Sequence, residues 1–208
     1  MPQLNPIRIV IIDDNFRETN PLVITLKEKH GEENVRIFRR PDEGVHFVLN
    51  NLSSKIVVLL DMDLGAHERK GDKVFDEIRS NTSLVTIIIM SANLLTLNNE
   101  TLRGFINNHA FSAINSNDPV KTNLPIIETA IDQLSLRVDC ALEEWILHHP
   151  SDEREKPYLT IRTGEKYSLD QILTEIRLNT ELGIYLQKGI IRVAVELLAR
   201  QKESLKNG

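Results

Sequence analysis

The chain has 208 residues, of which 41% are hydrophobic and 26% charged, values that exclude disordered and collagen-like classes and suit one domain of roughly 120 residues plus an appendage. The formal net charge of −5 is uneven: residues 1–150 carry 15 basic and 21 acidic side chains, and residues 151–208 carry 10 and 9. Neither part has the positive excess that drives nucleic-acid binding, and no apolar run approaches the ~20 residues of a membrane span.

The opening segment, MPQLNPIRIV, lacks the basic stretch and long apolar core of a signal peptide, so the expected location is cytoplasmic. Over the first 120 residues, short β-branched runs at 7–12, 35–38, 56–60, 85–90 and 111–114 read as strands. The amphipathic stretches between them, near 17–30, 42–52, 72–80 and 97–108, read as helices. Near-continuous apolar strands separated by helices predict a five-stranded parallel sheet, doubly wound and covered on both faces.

After the fifth strand, Asn123 is a candidate cap and Pro125 a first-turn proline for the longest helical pattern in the chain. Ile127, Ile131, Leu134, Val138, Ala141 and Trp145 recur at spacings of three and four, a seam along one face of a helix over 123–149. Its outer half is expected to make either a homodimer contact or an intramolecular one, while Cys140 and Trp145 read as packing residues. Cys140 has no cysteine to pair with, which agrees with a reducing compartment. The polar stretch 148–157 reads as a linker, and His148 and His149 as solvated members of it. A short strand over 158–161 follows, then a helix opened by a capping box of Ser168 and Gln171. A second helix is expected over about 181–202 with Thr180 as its cap, and its apolar residues cover too much of the circumference for a free surface helix. The expected organisation is thus a domain over 1–122, an extended helix with a candidate dimerisation seam over 123–149, and a small mainly helical output or interaction module over 150–208.

Three acids close the buried strands. Asp13 and Asp14 end the first, in RIVIIDD, and Asp61 ends the third, in KIVVLLD. Ligands of an open α/β sheet bind outside the carboxyl ends of its strands, and clustered carboxylates there are stabilised by a cation. Mg²⁺, held by one or two carboxylates with waters and phosphate oxygens, is the expected ion.

The order IVIIDDN, VVLLDMDLG and IIIMSA resembles the receiver domain of two-component response regulators over residues 7 to about 120. The resemblance implies a flavodoxin-like receiver fold and a signalling protein rather than an enzyme. It also implies an Mg²⁺ site at Asp13 and Asp14, with Asp61 as phosphoacceptor, Ser91 as the switch hydroxyl, and a backbone carbonyl from Asp63 to the metal. The implied partners are a histidine kinase or phosphotransfer protein, together with an unidentified downstream protein. The sequence departs from the family where a lysine would follow the fifth strand: FSAINSNDPV places Asn115 or Ser116 there, with Lys121 five or six residues onward. The aromatic position of that strand holds Ser112 or Ala113, and MDLGAHERKGD after Asp61 is long and lacks a proline. HERK, at 67–70, reads as a solvated loop that could gate the pocket. A phosphorylation-independent pseudo-receiver is the alternative these departures raise. A Toprim-like Mg²⁺ enzyme, suggested by Asp61-Met62-Asp63, ranks behind it because such folds want a glutamate at the end of the first strand.

Overall fold

A computed structural model describes residues 7–52, 54–65, 69–94, 99–161 and 163–204. The chain divides into two compact units, Met1–Leu136 and Arg137–Gly208.

In the first unit, β1 (Arg8–Ile12), β2 (Val35–Phe38), β3 (Ile56–Asp61), β4 (Thr86–Ser91) and β5 (Ser112–Asn115) form one sheet in the order β2-β1-β3-β4-β5, and every pairing is parallel. The expected five-stranded doubly wound sheet is therefore present. Its connections are the helices α1 (Pro21–His30), α2 (Pro41–Asn50), α3 (Gly71–Asn81) and α4 (Asn99–Asn107). The three central strands are almost wholly apolar because both faces of the sheet are covered. Ile9 to Ile12, Ile56 to Leu60 and Ile87 to Met90 are all about 0–1% exposed. Each such side chain contributes roughly 1.5–3 kcal/mol of burial. Register brings the carboxyl ends level: Ile12 lies opposite Leu60, Asp61 opposite Met90, and Ser91 opposite Asn115.

Two helix starts differ from the sequence reading. Asn20 caps α1, its side chain accepting the Leu22 amide, so residues 17–20 precede the helix rather than belong to it. Helix α5 (Val120–Leu136) begins before Asn123, which is buried inside it and donates through Nδ2 to the Asn115 carbonyl at 2.8 Å. Pro125 consequently lies within the helix rather than in its first turn. The expected helix over 123–149 is also interrupted. Arg137 adopts an extended conformation (φ −71°, ψ 127°), ending α5 and starting α6 (Val138–Leu147). The apolar seam is divided with it, Ile127, Ile131 and Leu134 being buried in the first unit, whereas Val138, Ala141 and Trp145 belong to the second.

The second unit contains α6, a single-turn α7 (Ser151–Arg154), an antiparallel hairpin of β6 (Pro157–Thr160) and β7 (Lys166–Ser168), α8 (Leu169–Arg177) and α9 (Glu181–Ser204). The capping box predicted at Ser168 and Gln171 is formed in both directions. Thr180 also caps as expected, accepting the Gly183 amide at 3.1 Å. Leu169, Ile172, Leu173 and Ile176 bury one face of α8, and Glu143 on α6 receives two bonds from the Arg177 guanidinium at 2.7 and 2.6 Å. Cys140 is buried, but Trp145 is 45% exposed, and Ile190, Ile191 and Val193 of α9 are exposed within the unit. Among the described residues no helix is long and apolar enough to cross a membrane.

Gly71 fixes the approach of α3 to the sheet edge. A Cβ there would lie 2.3 Å from the Asp61 carbonyl oxygen and 2.7 Å from the Met62 Cα, both backbone atoms. Gly71→Ala is expected to cost about 1–3 kcal/mol in denaturant unfolding. Gly104→Ala is the control, because a Cβ in that position of α4 meets nothing within 4 Å. It should be neutral or raise stability by up to about 1 kcal/mol.

Candidate functional site

The parallel register delivers acids from two neighbouring strands to one edge. Asp13 follows β1, its amide donating to the Phe38 carbonyl at 3.0 Å, and its Oδ1 accepts the amides of Asn15 at 2.8 Å and Phe16 at 3.0 Å. These two bonds fold the chain back over a carboxylate that is only 3% exposed. Asp14 stands at the rim, its Oδ1 accepting Asn15 Nδ2 at 2.9 Å. A Cβ on Gly65 would come within 3.1 Å of Asp14 Oδ2, so the loop after β3 passes directly beside that carboxylate. Arg17 and Arg39 both donate to the Asp14 carbonyl, at 3.0 and 3.1 Å, and hold the turn from outside.

Asp61 ends β3 and is 6% exposed, its Oδ1 accepting the Asp63 amide at 3.2 Å. Oxygen atoms from Asp13, Asp14 and Asp61 lie within 4.8 Å of one another. Burial is the main reason that the Asp61 carboxyl is pushed up to about 6, and the negative charge of Asp13 is the next. Burial likewise raises Asp13, against the pull of its two backbone amides. Desolvated, mutually repelling carboxylates with an all-oxygen donor set fit a hard divalent cation such as Mg²⁺, which would relieve both penalties.

The cluster borders a cleft of about 360 Å³ whose lining includes Asp13, Asp61, Asp63, Ser116 and Asn117. Ser91, fully buried at the end of β4, donates from Oγ to Asp63 Oδ2 at 3.1 Å and accepts the Asn93 amide at 3.1 Å. The structure thus gathers all five residues singled out in the sequence at one strand edge, with Asp63 contributing a side-chain contact that sequence reasoning missed. The three-carboxylate group comprises Asp13, Asp14 and Asp61, while Asp63 lines the same cleft.

Strand pairing also resolves the position after β5. Asn115 is the last strand residue, and its Oδ1 is taken by the Asn117 amide at 2.9 Å. Ser116 and Asn117 are the residues that reach the cleft, and no lysine or arginine lines it among the described residues. Asn15, which also lines it, was legible only as the residue after the paired acids. In the stretch 67–70, His67 and Glu68 lie outside the described residues, and Arg69 pairs with Asp42 of α2 and Glu77 of α3.

Among solved structures, the chain is similar to a CheY-like response regulator receiver domain protein from Methanospirillum hungatei JF-1. The two are 19% identical, with a TM-score of 0.52 over 62% of this chain and 95% of that one. It is also similar to NtrX from Brucella abortus, at 16% identity and a TM-score of 0.53, over 81% of this chain and 33% of that one. No protein-family model and no curated protein matches the chain. The first unit therefore has the receiver fold.

The raised Asp61 carboxyl makes stability depend on pH with a definite sign. Below its ordinary value of 3.8 the group is protonated whether the chain is folded or not, and the site imposes no penalty. As pH rises through about 6 the folded protein must ionise a disfavoured acid, and about 3 kcal/mol is lost relative to an unperturbed aspartate. Without divalent cations at pH 7.5, Asp61→Asn should be the more stable protein by about 2–3 kcal/mol. The difference should close below pH 4 and on adding millimolar Mg²⁺. Chemical denaturation across this range checks it, and a less stable variant at pH 7.5 would contradict the assigned repulsion.

Proposed function

We propose that the chain is a response-regulator-like signalling protein in which Asp61 accepts a phosphoryl group from a histidine kinase or phosphotransfer protein. The observation that carries this reading is the buried Asp61 carboxylate at the end of β3, with oxygens of Asp13 and Asp14 within 4.8 Å, in a receiver fold. Asp13, Asp14 and Asp61, with the Asp63 backbone carbonyl, would hold Mg²⁺. When bound, the ion supplies positive charge for an incoming phosphoryl group.

The residues of the chain divide the remaining work. Asp13 is immobilised by the Asn15 and Phe16 amides, so its charge stays beside Asp61 without side-chain reordering. The Asp63 amide orients Asp61 through Oδ1. The ionised Asp61 carboxylate forms a P–O bond as the P–N bond of the donor phosphohistidine breaks, the electron pair leaving with the imidazole. Ser91 supplies a hydroxyl at the neighbouring strand end, which can distinguish modified from unmodified Asp61 by one hydrogen bond. Output runs through protein interaction by the second unit, with a homodimer among the possible assemblies, in the cytoplasm.

A second reading has a specific observation behind it. Ser116 and Asn117 face the cleft where receivers place a lysine, which favours a pseudo-receiver that presents the fold to partners without phosphorylation.

Intact mass separates the two readings. With Mg²⁺ and acetyl phosphate, the wild type should gain the mass of one phosphate, labile to hydroxylamine, whereas Asp61→Asn gains none. Labelling that persists in Asp61→Asn removes Asp61 as acceptor, and a folded wild type that gains no mass favours the pseudo-receiver.

A further inference from the structure

Ser91 has one hydroxyl proton, and in this structure that proton is already engaged. Its Oγ donates to Asp63 Oδ2 at 3.1 Å and is held from the other side by the Asn93 amide, also at 3.1 Å. The main chain of Asp63 is tied to Asp61 through the amide bond to Oδ1. Asp63 thus bridges two strand ends, with its backbone on Asp61 and its carboxylate on Ser91. The two partners differ in environment, for Ser91 is fully buried whereas Asp63 is exposed. The hydroxyl cannot find another acceptor by moving into solvent, while the carboxylate can turn outward into water.

We propose that Asp63 is a positioning residue that latches the Ser91 hydroxyl in the resting state and competes for it with a phosphoryl group on Asp61. This deepens the reading of Asp61 as an acceptor and rests on it. Two acceptors then face a single donor. An acyl phosphate at Asp61 carries close to two negative charges, against one on the free carboxylate, and presents several acceptor oxygens. It repels the Asp63 carboxylate and offers the Ser91 proton a new partner at the same time. Releasing Asp63 costs the resting hydrogen bond, so Asp63 biases the site toward the unmodified arrangement and sets how strongly modification must compete. Asp63 thus acts as a brake through its side chain, distinct from the carbonyl it would lend to a metal.

A double-substitution cycle tests this in the full chain, with two readouts. In the unmodified protein, hydrogen exchange over 92–94 reports the Asn93 amide, which depends on Ser91 Oγ. Asp63→Ala and Ser91→Ala should each accelerate exchange there, and the double variant should go no further than Ser91→Ala. With Mg²⁺ and beryllofluoride as the phosphoryl mimic, Asp63→Ala should bind roughly tenfold more tightly than wild type. Most of that gain should vanish in the Ser91→Ala background. Asp63→Asn, which retains an acceptor for Ser91 without the charge, should fall between wild type and Asp63→Ala. The proposal is overturned if exchange over 92–94 is unchanged in Asp63→Ala. It is equally overturned if the tighter binding persists in full without the Ser91 hydroxyl, because charge repulsion alone would then account for it. Should the exchange cycle behave as stated while wild type ignores beryllofluoride, the resting latch stands and the acceptor reading is the one that fails.

Discussion

Like-charge crowding at the carboxyl edge of the sheet is the constraint around which the first unit is built. Parallel pairing of β1 with β3 sets Asp13 and Asp61 side by side, and the apolar strands beneath them keep water from diluting the repulsion. A protein selected only for stability would place neutral residues there. The local structure compensates in part: two backbone amides serve Asp13, one serves Asp61, and two guanidiniums hold the Asp14 carbonyl. A hard cation reaching the cluster would relieve the remaining imbalance, and its binding would then be linked to the folding of this edge.

Neighbouring features serve the same edge. Gly71 removes a side chain that would strike the Asp61 backbone, letting α3 start directly beneath the acidic strand end. Asn123, drawn into α5, ties the first turns of that helix to the end of β5, from which Ser116 and Asn117 reach the cleft. The resulting pocket has acidic residues on β1 and β3 and neutral hydrogen-bonding groups on the β5 side. That asymmetry is one of the departures of this chain from the receiver pattern its strands resemble.

The sheet was legible because its strands are buried on both faces and so read as unbroken apolar runs, from RIVII to TIIIMS. The acids at their ends were legible for the same reason, since a charge terminating such a run has few places to lie. Helix boundaries were less so. Asn123 has the chemistry of a cap, but its amide found a tertiary partner in the Asn115 carbonyl, a long-range contact no local pattern encodes. The seam from Ile127 to Trp145 keeps helical spacing across Arg137, because one extended residue barely disturbs the sequence period while it ends the hydrogen-bonded ladder. Strand β7 escaped notice because KYS is only three residues long and runs straight into the Ser168 cap. The Asp63 side chain was hidden for a different reason: residue spacing predicts which strand end a group occupies, and side-chain rotamers decide which neighbour it touches.

The hairpin of the second unit has one more consequence. A two-stranded ribbon has an unpaired edge on each side, and such edges can template the growth of sheet between molecules. Here β6 opens with Pro157, which has no N–H to offer, and carries an irregularity in register before Leu159. Strand β7 is three residues long and begins with Lys166. Neither side presents a flat, uncharged run on which another strand could assemble, so the ribbon is guarded against amyloid-like extension, and sticking between copies of this unit is left to side chains rather than to backbone.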